Sequence, residues 1–406
     1  MKGLVKIAWR NIWRNKRRTL LTMASIFLAA FLSLFTRSMQ LGSYANMIDN
    51  AVKLSTGYLQ IHKAGYWENK SIDRTFVNSD SLISKIKGND IVTKVIPRLE
   101  SFALTSSGKH TKGSFIFSVK PEIEDSINHL SGKIISGEYL SSNDNQIMVS
   151  SKLAEYLQVQ VGDTLVLLGQ GYHGITAAAQ YRIKGIFYFP IPDLNNKLVY
   201  MTLKTGQDFY GAYGRVTSYS LMVNNPNNIE EIKTSLIEKL GDDYEVMTWK
   251  EMNRALVQAI ESDNAGGIIM LGILYMVIGF GMFGTVMMMT MERRKEFAIM
   301  IAVGMQRIKL FFIIFIETLM IGTVAILISI LTALPFLSYL HNNPIPLEGD
   351  LAEAYMAFGV DPIVPFSIDP SIFVNQTITI IIIALVVILY PLSKVLKLDI
   401  LKSMRS

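Results

Sequence analysis

Four long apolar stretches with almost no charged residues organise this chain of 406 residues. They cover residues 19–36, 266–291, 310–340 and 372–392. Each stretch approaches or exceeds the roughly 20 residues that a helix needs to cross a bilayer core. Glu317 is the one charged residue within them. The pattern predicts four transmembrane helices, with residues 37–265 forming a large extramembrane domain between the first and the second.

Basic residues near the ends of the apolar stretches predict the orientation, because Lys and Arg in short flanking segments stay on the cytosolic side. Segments 1–18, 292–309 and 393–406 are rich in Lys and Arg, whereas segment 341–371 carries five acidic residues and no Lys or Arg. We therefore expect a cytosolic N-terminal helix, a cytosolic connector and a cytosolic tail. The acidic loop and residues 37–265 are expected outside. The net charge of +6 is an average over these compartments and needs no nucleic-acid partner.

The large segment between the first two apolar stretches mixes two hydrophobic periodicities and so predicts an α+β domain. Strand-like runs occupy residues 57–62, 114–119, 164–168, 181–189, 197–202 and 218–223. Helical patterns occupy residues 80–87, 151–157, 205–210 and 228–240. The predicted fold class is an α-helical membrane protein with four transmembrane helices and one large α+β extracytoplasmic domain.

The first 18 residues predict an amphipathic helix at the membrane surface. Trp9 and Trp13 fall on its apolar side, and Arg10, Arg17 and Arg18 belong to its basic residues. Indole rings favour the headgroup level of a bilayer. A basic anchor for the first span and a contact with a partner are both compatible with this pattern.

Motifs for catalysis are missing from the sequence. No phosphate-binding G-x-x-x-x-G-K-[ST] motif occurs, so we do not expect this chain to hydrolyse ATP by itself. With no cysteine and five scattered histidines, no disulfide, thiolate site or metal site is predicted. No catalytic residue is assigned, and a non-catalytic chain is expected.

Two features within the predicted spans are candidates for a role. An ionisable residue such as Glu317 is costly inside a membrane, which makes it a functional candidate. Its place near the start of the third span also favours an ion pair with Arg307, Lys309 or a neighbouring helix. In the second span, the small residues Ala265, Gly272 and Gly279 recur every seven positions. They predict a close helix contact, either a dimer seam or packing within this chain.

The connector between the second and third spans predicts a short cytosolic helix that would contact a soluble partner. Its proposed contact residues are Glu296, Phe297, Ile299, Met300, Ile301, Val303, Gly304 and Met305. An apolar ridge of Phe297, Met300, Ile301 and Val303 would receive the partner. Residues 296–304 (EFAIMIAVG) resemble the coupling helix of ABC-transporter permeases of the FtsX-like type, the family that includes MacB and the LolC/LolE lipoprotein-release permeases. Ile301 stands where that family usually carries Arg or Lys.

Other segments resemble the same family in order and position. Residues 8–21 (AWRNIWRNKRRTLL) resemble its opening and residues 398–405 (LDILKSMR) its close. Within the outer domain, residues 57–67 (GYLQIHKAGYW) and 150–163 (SSKLAEYLQVQVGD) look most like the lipoprotein-release subgroup. The resemblance extends to the arrangement of one span, a large domain and three further spans.

The resemblance implies the type VII ABC permease architecture in a bacterial inner membrane. Two permease subunits, identical or related, would sit on a dimer of a separate LolD/MacB-type ATPase, which would bind ATP and Mg. This chain would hold no cofactor of its own. ATP-driven closure of the ATPases would push the coupling helices and tilt the first two spans. The outer domains would then close on a lipoprotein or other amphiphilic substrate, a mechanism called mechanotransmission.

Three alternatives stay open at this point. A MacB-like exporter of peptides or amphiphiles would share the architecture but need an adaptor and an outer-membrane duct. An FtsX-like regulator would activate an extracellular hydrolase. An intramembrane enzyme would have only Glu317 to offer as a catalytic group.

Overall fold

The structure is a computed structural model that describes residues 2–14, 16–88, 91–357 and 362–396. Its helices are α1 (Lys2–Arg14), α2 (Lys16–Ala51), α3 (Tyr66–Asn69), α4 (Asp80–Lys87), α5 (Pro121–Asn128), α6 (Ser151–Leu157), α7 (Pro192–Asn195), α8 (Leu203–Tyr210), α9 (Ile229–Leu240), α10 (Trp249–Met252), α11 (Arg254–Glu292), α12 (Arg294–Ala302), α13 (Arg307–Asn342), α14 (Asp350–Ala357) and α15 (Pro370–Leu396).

The strands are β1 (Leu59–Lys63), β2 (Phe76–Val77), β3 (Val92–Ser106), β4 (Thr111–Val119), β5 (Ile134–Gly137), β6 (Ile147–Ser150), β7 (Thr164–Gln170), β8 (Thr176–Phe187), β9 (Leu198–Thr202), β10 (Arg215–Val216), β11 (Ser218–Val223), β12 (Tyr244–Thr248), β13 (Ile345–Pro346) and β14 (Ile363–Val364). The chain divides into two compact units. A helical unit contains residues 1–45, 259–346 and 363–406, and an α+β unit contains residues 46–258 and 347–362.

The helical unit is built on four helices that are long and apolar enough to cross a membrane, namely α2, α11, α13 and α15. Their buried faces meet in a core that includes Ile26, Ile278, Ile321 and Ala384, one residue from each helix. Many of their other apolar side chains, such as Leu331, are exposed, as expected for helices that face lipid. The predicted number and order of membrane helices are confirmed.

Two of these helices extend several turns beyond their apolar stretches. Helix α2 continues to Ala51, 15 residues beyond residue 36, and α11 begins at Arg254, 12 residues before residue 266. These extensions are polar, so hydropathy does not detect them, but they keep the helical hydrogen-bond pattern. Each extension carries its helix for about three to four turns beyond the predicted span.

The α+β unit contains a ten-stranded sheet in the order β12-β1-β11-β3-β4-β9-β6-β8-β5, with β7 paired to both β3 and β8. Because β7 joins β3 to β8, the strands β3, β4, β9, β6, β8 and β7 form a closed ring. Most pairs are antiparallel, and β4–β9 and β6–β8 are parallel. Closure removes exposed edges from the middle of the sheet.

The burial pattern along a strand shows whether one or both faces of the strand are covered. An alternating pattern indicates one covered face, and a continuous pattern indicates two. Strand β9 is buried at all five positions, as expected for a central strand covered on both sides. Helix α8 packs closely on β4, since a Cβ added at Gly206 would lie 1.9 Å from the Ser118 hydroxyl oxygen. The main core of the unit includes Leu99, Ile116, Val199 and Tyr219. The predicted α+β class is confirmed.

Candidate functional site

A short helix, α12, connects the end of α11 to the start of α13. Arg293 alone separates α11 from α12. At the other end the chain reverses at Gly304, whose φ of +102° lies in the region that favours glycine. The backbone N–H of Met305 donates to the carbonyl oxygen of Met300 over 2.9 Å. Helix α12 is therefore fixed at both ends to long membrane helices.

The inner face of α12 is part of the helical unit's core. Phe297 is 1% exposed and contacts a buried apolar cluster, and Ala298 beside it is also buried. The cluster contains Leu310, Ile314, Ile388 and Val395, with Met300, Ile301 and Met305 partly buried against it. The sequence-based expectation that Phe297 belongs to an exposed ridge is wrong, because its ring fills the space beneath α12. Met300 and Ile301 face largely the same way.

The outer face of α12, taken together with the turn at residues 303–304 that follows it, carries the remaining predicted contact residues. Val303 is 84% exposed and Ile299 is 47% exposed. Gly304 is also exposed, and the side chain of Glu296 is about half exposed. A partner that contacts α12 would therefore meet Ile299 and Val303, while Phe297 would transmit the contact to the core.

A buried ion pair joins the start of α12 to α13. The Arg293 Nη1 atom donates to Glu317 Oε2 over 2.9 Å and to Oε1 over 3.3 Å. Both side chains are almost completely buried. The Arg293 guanidinium carbon also lies 5.1 Å from the centre of the Phe297 ring, close enough for a cation–π contact. The ion-pair partner of Glu317 is therefore Arg293, which lies between α11 and α12, rather than Arg307 or Lys309.

A second ion pair ties α12 to the N-terminal helix. Glu296 Oε2 accepts from Arg14 Nη2 over 2.5 Å and from Arg293 Nε over 3.3 Å. Burial would raise the pKa of Glu296, but the hydrogen bonds and charges of the two arginines outweigh burial and lower the pKa below its usual range. Arg14, Glu296, Arg293 and Glu317 thus form a charge chain from α1 through α12 to α13. Sequence reasoning singled out Glu296 and Glu317 but missed both arginine partners.

The N-terminal helix α1 places its residues on two faces. Ala8 and Ile12 are buried, and α1 packs against α13. Trp9 and Trp13 are exposed, and their ring centres are 5.8 Å apart. Arg10 is exposed as well. The first 18 residues are not described as one helix, because α1 ends at Arg14 and α2 begins at Lys16, so Arg17, which is also exposed, lies on α2. The side chain of Arg18 and the family-like segment 398–405 lie outside the described residues. The structure therefore turns the two indoles away from the core, where a membrane surface could receive them.

The seven-residue repeat of small residues on α11 does not form one seam within this chain. A Cβ added at Gly279 would lie 3.6 Å from Ile383 on α15. Among the described residues, Gly272 has no heavy atom within 4 Å of such a Cβ, and Ala265 is exposed. Gly279 thus serves packing inside the helical unit, while the other two positions meet no neighbouring helix in the part of the chain that the structure describes.

A polar network between α2 and α11 was not predicted from the sequence. Arg37 Nη1 donates to Asn264 Oδ1 over 2.7 Å, and Tyr44 Oη donates to Asp263 Oδ2 over 2.5 Å. Gln40 Nε2 donates to the same carboxylate over 3.2 Å. The network joins the two helices that lead into the α+β unit. Its sequence signal is weak, because the participating residues are 219 to 227 positions apart.

Two family models match the chain. The model of the MacB-like periplasmic core domain matches residues 19–239, which is more than half of the chain, and the model of the FtsX-like permease C-terminal region matches residues 268–400. The second match contains α12 and the whole charge chain except Arg14.

Curated relatives are distant. The chain is 20% identical over 247 residues to the lipoprotein-releasing system transmembrane protein LolC of Xylella fastidiosa, covering 59% of each chain. It is 21% identical over 244 residues to LolC of Neisseria meningitidis, covering 58% of each. An uncharacterized ABC transporter permease of Methanocaldococcus jannaschii is 20% identical over 343 residues, covering 81% of this chain and 83% of that one. The chain spans about three fifths of the length of the LolC relatives it matches.

The solved structures that match part of the chain include the periplasmic region of MacB from Actinobacillus actinomycetemcomitans, at 13% identity and a TM-score of 0.35. That comparison covers 51% of this chain and 94% of the other. The extracellular domain of the transporter YknZ from Gram-positive bacteria gives 12% identity and a TM-score of 0.33, with 47% and 99% covered.

Proposed function

Because this chain belongs to the family of FtsX-like ABC transporter permeases with a MacB-like periplasmic core domain, we propose that it converts ATP-driven motion of a separate ATPase into motion of its α+β unit. The substrate we propose is a lipoprotein in the outer leaflet of a bacterial inner membrane. The names of the LolC relatives support this choice of substrate.

The observation that carries the coupling role is the way α12 is built into the membrane helices. Phe297 lies beneath α12 among side chains of α13 and α15, and the Arg293–Glu317 pair holds the start of α12 to α13. Removing one partner of a buried ion pair typically costs about 3–5 kcal/mol, and emptying a phenylalanine site costs a similar amount. Detaching α12 would cost this free energy. A push on α12 is therefore expected to move the attached helices rather than to separate α12 from them.

The outer face of α12 is the surface we assign to the ATPase. Ile299 and Val303 give it an apolar contact, and the basic residues around the connector favour the cytosolic side. In this arrangement both termini are cytosolic and the α+β unit is periplasmic. ATP and Mg would be bound by the ATPase, and this chain would supply no catalytic group.

Helices α2 and α11 are the route by which motion would reach the periplasm. Each carries residues of both compact units, since α2 ends at Ala51 and α11 begins at Arg254. The hydrogen bonds from Arg37 and Tyr44 to α11 hold the two helices together, so they would tilt as a pair. With a second permease subunit, paired tilting would close two α+β units on a substrate.

The test is ATP-dependent release of a lipoprotein. The full chain and the ATPase that purifies with it are reconstituted in liposomes that contain a fluorescent triacylated lipoprotein. We expect the lipoprotein to leave the membrane with ATP but not with a non-hydrolysable analogue. ATP hydrolysis that leaves the lipoprotein in place while exporting a peptide or amphiphile would favour efflux instead. Activation of an added cell-wall hydrolase without any release would favour the regulatory role.

A further inference from the structure

The α+β unit contains a cavity of about 130 Å³ that none of the roles above uses. It lies where β3 and β4 meet the segment that follows β1. Five aromatic side chains line it, namely Tyr66, Trp67, Phe102, Phe115 and Phe117. Glu100 and Lys70 are the charged residues in the lining. A mostly apolar lining with a few placed polar groups is typical of a ligand site.

The aromatic walls are held in place by contacts outside the cavity. The backbone N–H of Trp67 donates to Glu245 Oε1 over 2.8 Å, which fixes the short helix α3. The Tyr66 ring stacks on His62 with centres 4.8 Å apart. Phe102 on β3 and Phe115 on β4 are cross-strand partners whose ring centres are 4.0 Å apart. The walls are therefore formed before any ligand binds.

Glu100 is the less well paired of the two carboxylates beside Arg98. Arg98 is buried and donates through Nε and Nη2 to the two carboxylate oxygens of Glu124, over 3.0 and 2.6 Å. Its Nη1 donates to the carbonyl oxygen of Ser55. Glu100 Oε1 is left 3.6 Å from Arg98 Nη1, beyond hydrogen-bond distance, and it accepts no hydrogen bond from the described residues. One guanidinium thus serves two carboxylates.

Arg98 and Lys70 do not fully compensate the buried charge of Glu100. Burial raises the pKa of Glu100, and the neighbouring Glu124 charge acts in the same direction, whereas Arg98 and Lys70 only partly oppose them. A cation placed against this carboxylate would supply the missing partner. The faces of aromatic rings carry negative partial charge, so the aromatic walls also favour a positively charged ligand.

An ammonium group already lies on one wall. The Lys70 Nζ atom is 4.1 Å from the centre of the Trp67 ring, within the usual range of a cation–π contact. Lys70 is an exposed residue at the rim, so its long side chain can move away when another cation enters. The chain's own lysine therefore demonstrates the kind of group that this wall accommodates.

We propose that the cavity binds a small organic ammonium ion, a primary ammonium on a short apolar stem. The ammonium would donate to Glu100, and the stem would lie against Phe102, Phe115 and Phe117. The proposal does not depend on the transport role, because every residue that carries it lies within the α+β unit.

The test compares n-butylammonium chloride with 1-butanol, which has the same stem and no charge. Each is titrated calorimetrically into the full chain in nanodiscs, and the heat of binding to empty nanodiscs is subtracted. We expect the ammonium to bind at least about tenfold more tightly than the alcohol, since a desolvated cation–π contact and an ion pair each contribute at this level. This comparison uses the wild-type chain and needs no variant to fold.

Variants then locate the site. Glu100→Gln should weaken butylammonium binding at least about tenfold, while the matched control Glu155→Gln, an exposed acid on α6, should leave it unchanged. Lys70→Met removes the competing ammonium and should leave binding as tight or tighter. Equal affinity for the ammonium and the alcohol, full binding by the Glu100→Gln variant, or no binding of butylammonium up to about 10 mM would each overturn the proposal.

Discussion

Removing either partner of the buried Arg293–Glu317 ion pair should lower the free energy of unfolding, but the loss should differ between the two partners. Arg293→Met leaves Glu317 buried without an ion-pair partner within 4 Å among the described residues. Glu317→Leu leaves Arg293 with Glu296 at 3.3 Å and with the ring of Phe297. The arginine change should therefore be the more damaging one.

The magnitudes follow from the burial of both groups. An uncompensated buried charge costs about 3–5 kcal/mol, so Arg293→Met should lower the free energy of unfolding by about that amount. Glu317→Leu should cost about 1–3 kcal/mol, the range for losing hydrogen bonds to a charged group that keeps other partners. Replacing both residues by apolar side chains leaves no buried charge and should fall within about 1 kcal/mol of wild type. The two single changes should then be strongly non-additive.

Reversible unfolding by SDS in mixed micelles, followed by the helical circular dichroism signal, measures these free energies. Arg10→Met is the matched control, because Arg10 is an exposed arginine on α1 and its loss should change stability by less than about 0.5 kcal/mol. Additive costs in the double variant, or an Arg293→Met cost below about 1 kcal/mol, would show that this pair does not fasten α12 to α13.

Three further outcomes are expected. The two arginine partners of Glu296 lower its pKa, so this carboxylate should stabilise the fold above the usual glutamate pKa. That stabilisation should be lost as the pH falls through the lowered pKa. Glu296→Gln should remove this part of the pH dependence of unfolding. Gly304→Ala should cost about 1–3 kcal/mol in the same SDS assay because φ there is +102°. In the α+β unit, Gly206→Ala should cost about 1–3 kcal/mol by driving a Cβ against Ser118, whereas Gly132→Ala, which meets no atom within 4 Å, should be neutral; thermal denaturation followed by near-ultraviolet circular dichroism compares the two.

Elements with strong local signals could be predicted almost to the residue. Helix α4 spans the predicted residues 80–87, since Ser79 caps it by accepting from the N–H of Leu82 and its apolar residues recur at helical spacing. Helix α6 likewise spans the predicted residues 151–157. Strand β3 was missed, because Pro97 and several charged residues interrupt its apolar pattern. Its burial comes from long-range pairing with β4, β7 and β11, which no local pattern reports.

The sequence predicts the candidate site only in part, because some of its contacts depend on long-range packing rather than on local signals. The position of α12 follows from its charged borders, and the cost of an intramembrane charge directs attention to Glu317. The identity of its partner, Arg293, depends on how α11 and α13 pack, which the sequence does not encode locally. The face of α12 is predicted wrongly at Phe297, because the charged residues Arg294, Lys295 and Glu296 are consecutive in the first turn and therefore do not mark one side of the helix. Burial in the folded chain decides that question.

The coupling role is tested most directly by asking whether α12 holds an ATPase. The tagged full chain is purified gently from its native membrane in nanodiscs, and the retained proteins are identified by mass spectrometry. Wild type and Tyr213→Asp, an exposed position in the α+β unit, should both retain a protein with the nucleotide-binding G-x-x-x-x-G-K-[ST] motif. Val303→Asp, which puts a charge on the outer face of α12, should lose that protein while still inserting in the membrane. Absence of any such ATPase from the wild-type sample, or its full retention by the Val303→Asp variant, would contradict the account.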